Sequence, residues 1–396
     1  MKVSVCPWSP GRYLSALLAL LVGLSAFGCT SAAPAATPAP ATTPAAGSAS
    51  GLGYGFHTQL WMSGGVADRD IALAKDAGFG WIKQRFEWRY METKAKGDLN
   101  FVRADQLVQA ANKAGLKVIA RVDNQPEWAT GKKYGAATAP PDNPRDYADF
   151  VGAMAERYKA GSPYGTIAAY EIWNEPNLSR EWGNKAPSAA EYVALLKAAY
   201  QAIKKADPQS LVITAGLSPT TAPPPVAVPD VQYLKQMYAA GAKGYFDILG
   251  AHGAGFKAPP EVSPDDASKD AQYNHGEGAN GRVYCFRHVE DLRAVMVESG
   301  DAAKKVSVLE FGWTTDNRPG SPYGWHAVSS QEQADYLVRA FKYAKEKWSD
   351  WIGPMIVIYI ADPDMNKDQE QYYWAVTNPD GSPRPAYSAL KAMPKN

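Results

Sequence analysis

Two glutamates sit where short apolar runs end. Glu175 lies in Glu171-Ile172-Trp173-Asn174-Glu175-Pro176-Asn177, at the close of the run 166–173. Glu310 follows Lys305-Val306-Ser307-Val308-Leu309 and precedes Phe311-Gly312-Trp313. Each run reads as a buried strand. A carboxylate where a buried strand gives way to a loop is costly unless it is solvated, paired or used. Two in the same kind of place suggest a paired-carboxylate site, and glycosidic bond cleavage is the reaction that most often needs one. In the retaining form one carboxyl protonates the leaving oxygen while the other attacks the anomeric carbon. The two then stand about 5–5.5 Å apart, against about 6.5–9.5 Å in an inverting site. Glu310 is read as the nucleophile and Glu175 as the acid, later the base. The charge on Glu310 is expected to keep Glu175 protonated until the first step neutralises it.

The elements that must carry this pair alternate along the chain. Strand-like runs fall at 53–57, 79–85, 116–122, 166–173, 211–217, 246–252, 306–312 and 355–361. Amphipathic segments fall between them at 66–77, 102–114, 144–159, 189–206, 231–240, 289–303 and 331–347, with a last one at 386–393. Asp76-Ala77-Gly78 and Lys113-Ala114-Gly115 carry the glycine that closes a helix. Strands alternating with helices imply a parallel sheet. Eight such units imply an α/β fold, a (β/α)8 TIM barrel, as a single catalytic domain over 51–396. An open doubly wound sheet is the weaker reading, because no glycine-rich phosphate loop follows the first strand.

In a barrel every strand end opens on one face. Here those ends carry His57, Gln84, Arg85, Asp123, Asn124, Asn174, Glu175, Ser218, His252, Glu310 and Tyr359, with Trp61, Trp88, Trp128, Trp182, Trp313 and Trp325 in the loops beyond. Polar groups ringed with flat apolar ones are what a sugar cleft needs. Arg85 is expected to reach substrate and Asn124 to meet a sugar hydroxyl, although Asn124 reads equally well as a turn residue. Trp313 and Trp182 are candidate sugar platforms, with a buried packing role as the alternative. His57 reads as packing. The loops 254–281 and 220–229 are expected to shape the cleft.

The chain has 396 residues, 46% of them hydrophobic, and a net charge of +1. That supports a large core and gives no basic face for nucleic acid. Cys6 and Cys29 precede the body, which leaves Cys285 without an intrachain partner in it. Residues 1–29 read as a signal peptide: Lys2 and Arg12 precede the apolar run Leu14–Phe27. Its end, Leu24-Ser25-Ala26-Phe27-Gly28-Cys29, resembles a bacterial lipobox and makes Cys29 a candidate lipidation site. Residues 30–50, rich in Ala, Pro and Thr, read as a disordered linker. The expected protein is exported, a cell-surface lipoprotein or secreted, and monomeric. It meets a membrane only through Cys29. The acids at 362, 364 and 368 read as a solvated loop rather than a calcium site. The chemistry requires neither cofactor nor metal.

Trp173-Asn174-Glu175-Pro176-Asn177 and Leu309-Glu310-Phe311-Gly312 resemble the fourth- and seventh-strand signatures of glycoside hydrolase clan A. Within that clan the chain is similar to the cellulase-like family 5 and the xylosidase-like family 39, and the likeness continues through 82–89, 121–128 and 383–387. The resemblance implies Glu175 as acid/base, Glu310 as nucleophile, Asn174 on the sugar 2-hydroxyl and His252 beside the nucleophile. Three positions depart from the pattern. Ala254 stands where many relatives place a tyrosine that bonds the nucleophile, and Tyr273 or Tyr284 could supply that hydroxyl. Tyr359 takes the place of the eighth-strand tryptophan. A third-strand histidine is absent, with Asn124 nearby.

The function expected is an exported retaining β-glycosidase acting on a polysaccharide or oligosaccharide. Two alternatives stand beside it: a non-catalytic carbohydrate-binding surface protein on a degenerate barrel, and a transglycosylase in cell-surface polysaccharide metabolism.

Overall fold

The computed structural model describes residues 51–61, 65–133 and 137–395. The expected signal peptide 1–29, the linker 30–50 and Cys29 lie outside the described residues.

Among the described residues, eight parallel strands close into a barrel in chain order. They are β1 Gly53–Thr58, β2 Trp81–Glu87, β3 Lys117–Asp123, β4 Ala169–Ile172, β5 Leu211–Thr214, β6 Ile248–Ala254, β7 Lys305–Gly312 and β8 Ile352–Val357. A long helix follows each: α1 Val66–Asp76, α2 Val102–Lys113, α3 Pro144–Arg157, α4 Ala189–Ala206, α5 Asp230–Ala239, α6 Val289–Glu298, α7 Ser330–Lys347 and α8 Pro385–Ala392.

Local chemistry sets the helix ends. Asn143 accepts from Arg145 N ahead of Pro144 at the first turn of α3, and Ser188 accepts from Glu191 N at α4. Ser329 and Glu332 form a reciprocal capping box at α7. Gly78 and Gly115 close α1 and α2 at φ 70° and 81°, the left-handed region that glycine enters at least cost.

Most of the strands differ from the sequence reading by a few residues at both ends. β8 begins at Ile352 and includes Pro354, a residue that reads as a breaker. Pro354 is tolerated because the β7–β8 register slips between Val306 and Val308, and its carbonyl accepts from Ser307 Oγ at 2.6 Å. β4 is short because residues 166–168 approach as extended loop.

The main core lies between strands and helices. A smaller cluster inside the barrel joins Trp81, Ile119, Ala169, Leu211, Ile213, Ile248, Leu309 and Ile356. Toward the C-terminal end of the strands the interior turns from apolar to charged, and that change builds the site. Cys285 packs with Ala258 and Ala267 under the loop after β6, and burial pushes its thiol up to about 12.

Candidate active site

A cavity of about 660 Å³ opens at the C-terminal ends of the strands, within the size range of small-ligand sites. Glu175 and Glu310 both line it, with His57, Arg85, Arg121, Asn174, His252 and Tyr359.

The turn after β4 delivers Glu175. Trp173 and Glu175 occupy the left-handed region at φ 71° and 38°, a cost of about 1–3 kcal/mol each that the surroundings must hold in place. Trp173 Nε1 donates to Glu181 O at 3.0 Å, and Glu175 N donates to Gly216 O at 3.1 Å. Asn177 is fully buried. Its amide donates to Ser218 O at 2.9 Å and Val228 O at 3.1 Å and accepts from Ser218 N at 3.0 Å. The last residue of the Asn-Glu-Pro-Asn element is therefore a pin to the loop after β5, a role missed in the sequence. Asn174 is 5% exposed, and its Oδ1 has no hydrogen-bond partner among the described residues.

A bulge delivers Glu310. Along β6–β7 the pairing passes from Ala251↔Val308 to His252↔Glu310, leaving Leu309 over. Strict alternation would send Leu309 and Glu310 to opposite faces. With the extra residue, Leu309 packs in the inner apolar cluster while Glu310 meets Lys83 and Arg121 inside the barrel. Bulges re-aim side chains in this way beside functional sites.

Around Glu310 the barrel is cationic. Lys83 Nζ lies 3.1 Å from Glu310 Oε1 and 2.9 Å from Glu171 Oε2. Arg121 Nη1 also lies 3.1 Å from Glu310 Oε1, and its Nε is 2.8 Å from Asp123 Oδ2. His57 Nδ1 stands 3.6 Å away, and burial holds that ring well below the usual histidine range. Burial alone pushes Glu310 upward, but Lys83, His252, His57 and Arg121 outweigh it and hold the carboxyl well below its ordinary value. Lys83, Arg121 and Glu171 were not singled out in the sequence. A signal was there: Trp81, Lys83, Arg85 and Glu87 share one face by the two-residue period, and Lys83 sits one step beyond the inward Trp81.

Glu175 has a different environment. His252 Nδ1 faces Oε1 at 3.0 Å, and Arg180 Nη2 donates to Oε2 at 2.9 Å. Burial raises Glu175, but the His252 hydrogen bond, His252 itself and Arg180 outweigh it and bring the carboxyl to about 2. This corrects the expectation that the Glu310 charge keeps Glu175 protonated: that repulsion is present but smaller than the effects of His252 and Arg180. A third carboxyl on the cavity wall, Glu181, is pushed up to about 7, first by burial and then by Glu175.

Four of the seven expected sugar-binding positions, Asn174, His252, Arg85 and Tyr359, line the cavity, and so does His57, which the sequence reading took as packing. Three do not. Trp313 has no exposure, and its Nε1 donates to Ala258 O at 2.9 Å. Its ring fills the space above Gly255, where an added Cβ would come within 1.9 Å of it. Trp182 is likewise fully buried, bonded to Glu191 at 3.0 Å and packed edge-on to Trp173. Asn124 is a left-handed turn residue at φ 54° that donates to Glu87 Oε2 at 2.8 Å. In their place Phe256, Tyr323 and Trp374 bring rings to the wall. Neither substitute tyrosine reaches the nucleophile. Tyr284 bonds Glu277 and Thr221, and Tyr273 packs beside Cys285.

The family described as cellulase (glycosyl hydrolase family 5) matches residues 45–241. No curated protein matches the chain. Solved structures similar in fold include a family 39 glycoside hydrolase from the gut symbiont Bacteroides cellulosilyticus WH2, at TM-score 0.61 and 18% identity over 87% of this chain and 63% of that one. A monomeric β-xylosidase from Caulobacter crescentus CB15 superposes at TM-score 0.59 and 18% identity, over 86% of this chain and 67% of that one. An endoglucanase from the hyperthermophile Thermotoga maritima does so at TM-score 0.51 and 15% identity, over 85% and 96%. The chain thus spans less than two thirds of the family 39 enzyme from Bacteroides.

Proposed function

We propose that this chain, a glycoside hydrolase on a clan A (β/α)8 barrel, cleaves a β-linked oligosaccharide or polysaccharide with retention of configuration. Glu310 attacks the anomeric carbon while Glu175 gives a proton to the departing oxygen. Glu175 then takes a proton from the water that releases the sugar from Glu310. The observation that carries this reading is one cavity holding two carboxyls in unlike settings. Glu310, against Lys83 and Arg121, is kept ionised as a nucleophile must be. Glu175 sits on a loop with one oxygen toward a partner that can move.

Asn174 Oδ1, buried on the cavity wall without a partner among the described residues, suits a sugar hydroxyl. Arg85 and Tyr359 line the same cavity. The relatives described as an endoglucanase and a β-xylosidase make β-glucans and β-xylosides the first substrates to try.

The test pairs the wild-type protein with Glu310→Ala, each assayed on β-linked aryl glycosides and polysaccharides with and without azide. Azide can occupy the space of the lost carboxylate and attack the anomeric carbon. Wild-type turnover, with a rescued mutant giving a glycosyl azide of inverted configuration, supports the assignment. A folded wild type that binds glycans and turns over none of them replaces it with the binding-protein reading.

The same reading includes export by residues 1–29, lipidation at Cys29 and action as a monomer at the cell surface. Incorporation of a labelled fatty acid, lost in Cys29→Ala, tests the anchor.

A further inference from the structure

Both oxygens of Glu175 are occupied. Oε1 faces His252 Nδ1 at 3.0 Å, and Oε2 accepts from Arg180 Nη2 at 2.9 Å. A guanidinium donates and never accepts. A proton on Oε2 would meet a donor, and a proton on Oε1 would be engaged with His252. In this arrangement the acid has no proton to offer a glycosidic oxygen.

Arg180 is the contact that can give way. His252 is 4% exposed and fixed on β6, whereas the Arg180 side chain is 67% exposed on the short turn Ser179–Glu181. A second acceptor already stands beside it, with Arg180 Nε 3.8 Å from Glu181 Oε1. Glu370, which also lines the cavity, attracts it as well.

Resting on the retaining-glycosidase reading, we propose that Arg180 is a positioning residue, a latch on the acid/base. It clamps Glu175 as a carboxylate in the empty site and swings to Glu181 when a leaving-group sugar enters. Release frees the Oε2 lone pair, and the proton it then takes from solvent is the one passed to the glycosidic oxygen. When the leaving sugar departs, Glu175 is left a carboxylate whose Oε2 takes the proton of the attacking water, and Arg180 returns only after that proton is lost to solvent. Glu181 suits the exchange because burial and its nearness to Glu175 raise its carboxyl to about 7, so it ionises readily only with the cation beside it.

The charged and titratable groups facing Glu175 are His252 from β6, Arg180 and Glu181 from its own loop, Glu310 from β7, and Tyr359 and Glu370 from the segment after β8. Arg180 reaches Glu175 with an exposed side chain, so its removal should be felt mainly at Glu175.

The experiment measures kcat/KM against pH for wild type, Arg180→Gln and Arg180→Lys on a glycoside with a poor leaving group. In parallel, the Glu175 carboxyl is titrated by 13C NMR, assigned with Glu175→Gln. The basic limb of kcat/KM and the Glu175 titration should both move up by about one pH unit in Arg180→Gln and return toward wild type in Arg180→Lys. Both midpoints unchanged in Arg180→Gln would overturn the latch. The NMR arm needs no substrate, so failure of the latch is separable from failure of the glycosidase reading, which the azide experiment reports.

Discussion

Lys83 Nζ lies 3.1 Å from Glu310 Oε1, inside the barrel, with no exposure of its own. The same ammonium is 2.9 Å from Glu171, also fully buried. One lysine therefore answers two buried carboxylates, one at the reacting position and one a layer below it.

Lys83→Met should leave both carboxylates without their shared cation. Breaking a buried pair from one side costs about 3–5 kcal/mol, so the thermal midpoint should fall by several degrees. Glu310 should also titrate higher, moving the acid limb of kcat/KM to higher pH. A variant with an unchanged acid limb would mean that His252, His57 and Arg121 set the nucleophile without Lys83.

Glu175→Ala should separate substrates by leaving group. With a poor leaving group, the loss should be about 10²–10⁴-fold in kcat/KM. With a dinitrophenyl leaving group, which departs without a proton, the first step should be far less affected. Equal losses on both would remove Glu175 from the acid role.

Gly216→Ala tests the seat of His252. An added Cβ would lie 2.2 Å from the His252 ring, so either the ring or the end of β5 must shift. We expect destabilisation of about 1–3 kcal/mol from overpacking, together with lost turnover, because His252 is the group bonded to Glu175. A crystal structure showing His252 unmoved, with full activity, would refute this.

His288 predicts a pH dependence of stability away from the cleft. Its Nε2 contacts Asp230 at 2.9 Å and its Nδ1 contacts Asp291 at 3.0 Å. Burial lowers it, but the two aspartates outweigh burial and raise it from 6.5 to about 9. A raised folded value contributes stability that is full below 6.5 and lost as pH rises through about 9. Thermal melts from pH 6 to 10 should show this fall in wild type and lose most of it in His288→Gln.

Acid stability should follow the opposite sign at the cleft. Glu175 is depressed from 4.5 to about 2. Its contribution is therefore present above 4.5 and lost as pH falls toward 2. Arg180→Gln should narrow that window, measured as the shift of the acid unfolding midpoint.

The sequence by itself determined the architecture. Apolar runs separated by amphipathic segments, each closed by a cap or a glycine, allow little but a wound parallel sheet, and eight of them close it. It also marked two glutamates near the C-terminal ends of the fourth and seventh runs, and both line the one cavity. Boundaries moved by a few residues where local chemistry was ambiguous, as at Pro354 in β8.

The tertiary structure decided which polar and aromatic residues reach the cavity. Trp313 and Asn124 follow strand ends as closely as Asn174 does, and Trp182 follows in the loop after β4, yet packing buries the two rings and Asn124 becomes a left-handed turn residue held to Glu87. The direction of Glu310 depends on one unpaired residue, Leu309, in the β6–β7 register, and a pairing between strands far apart in the chain cannot be read from either strand alone. The charges on Glu310 and Glu175 depend on Lys83, Arg121, His252 and Arg180. Those groups are brought together only when the barrel closes, because electrostatic energy follows distance through space and burial rather than distance along the chain.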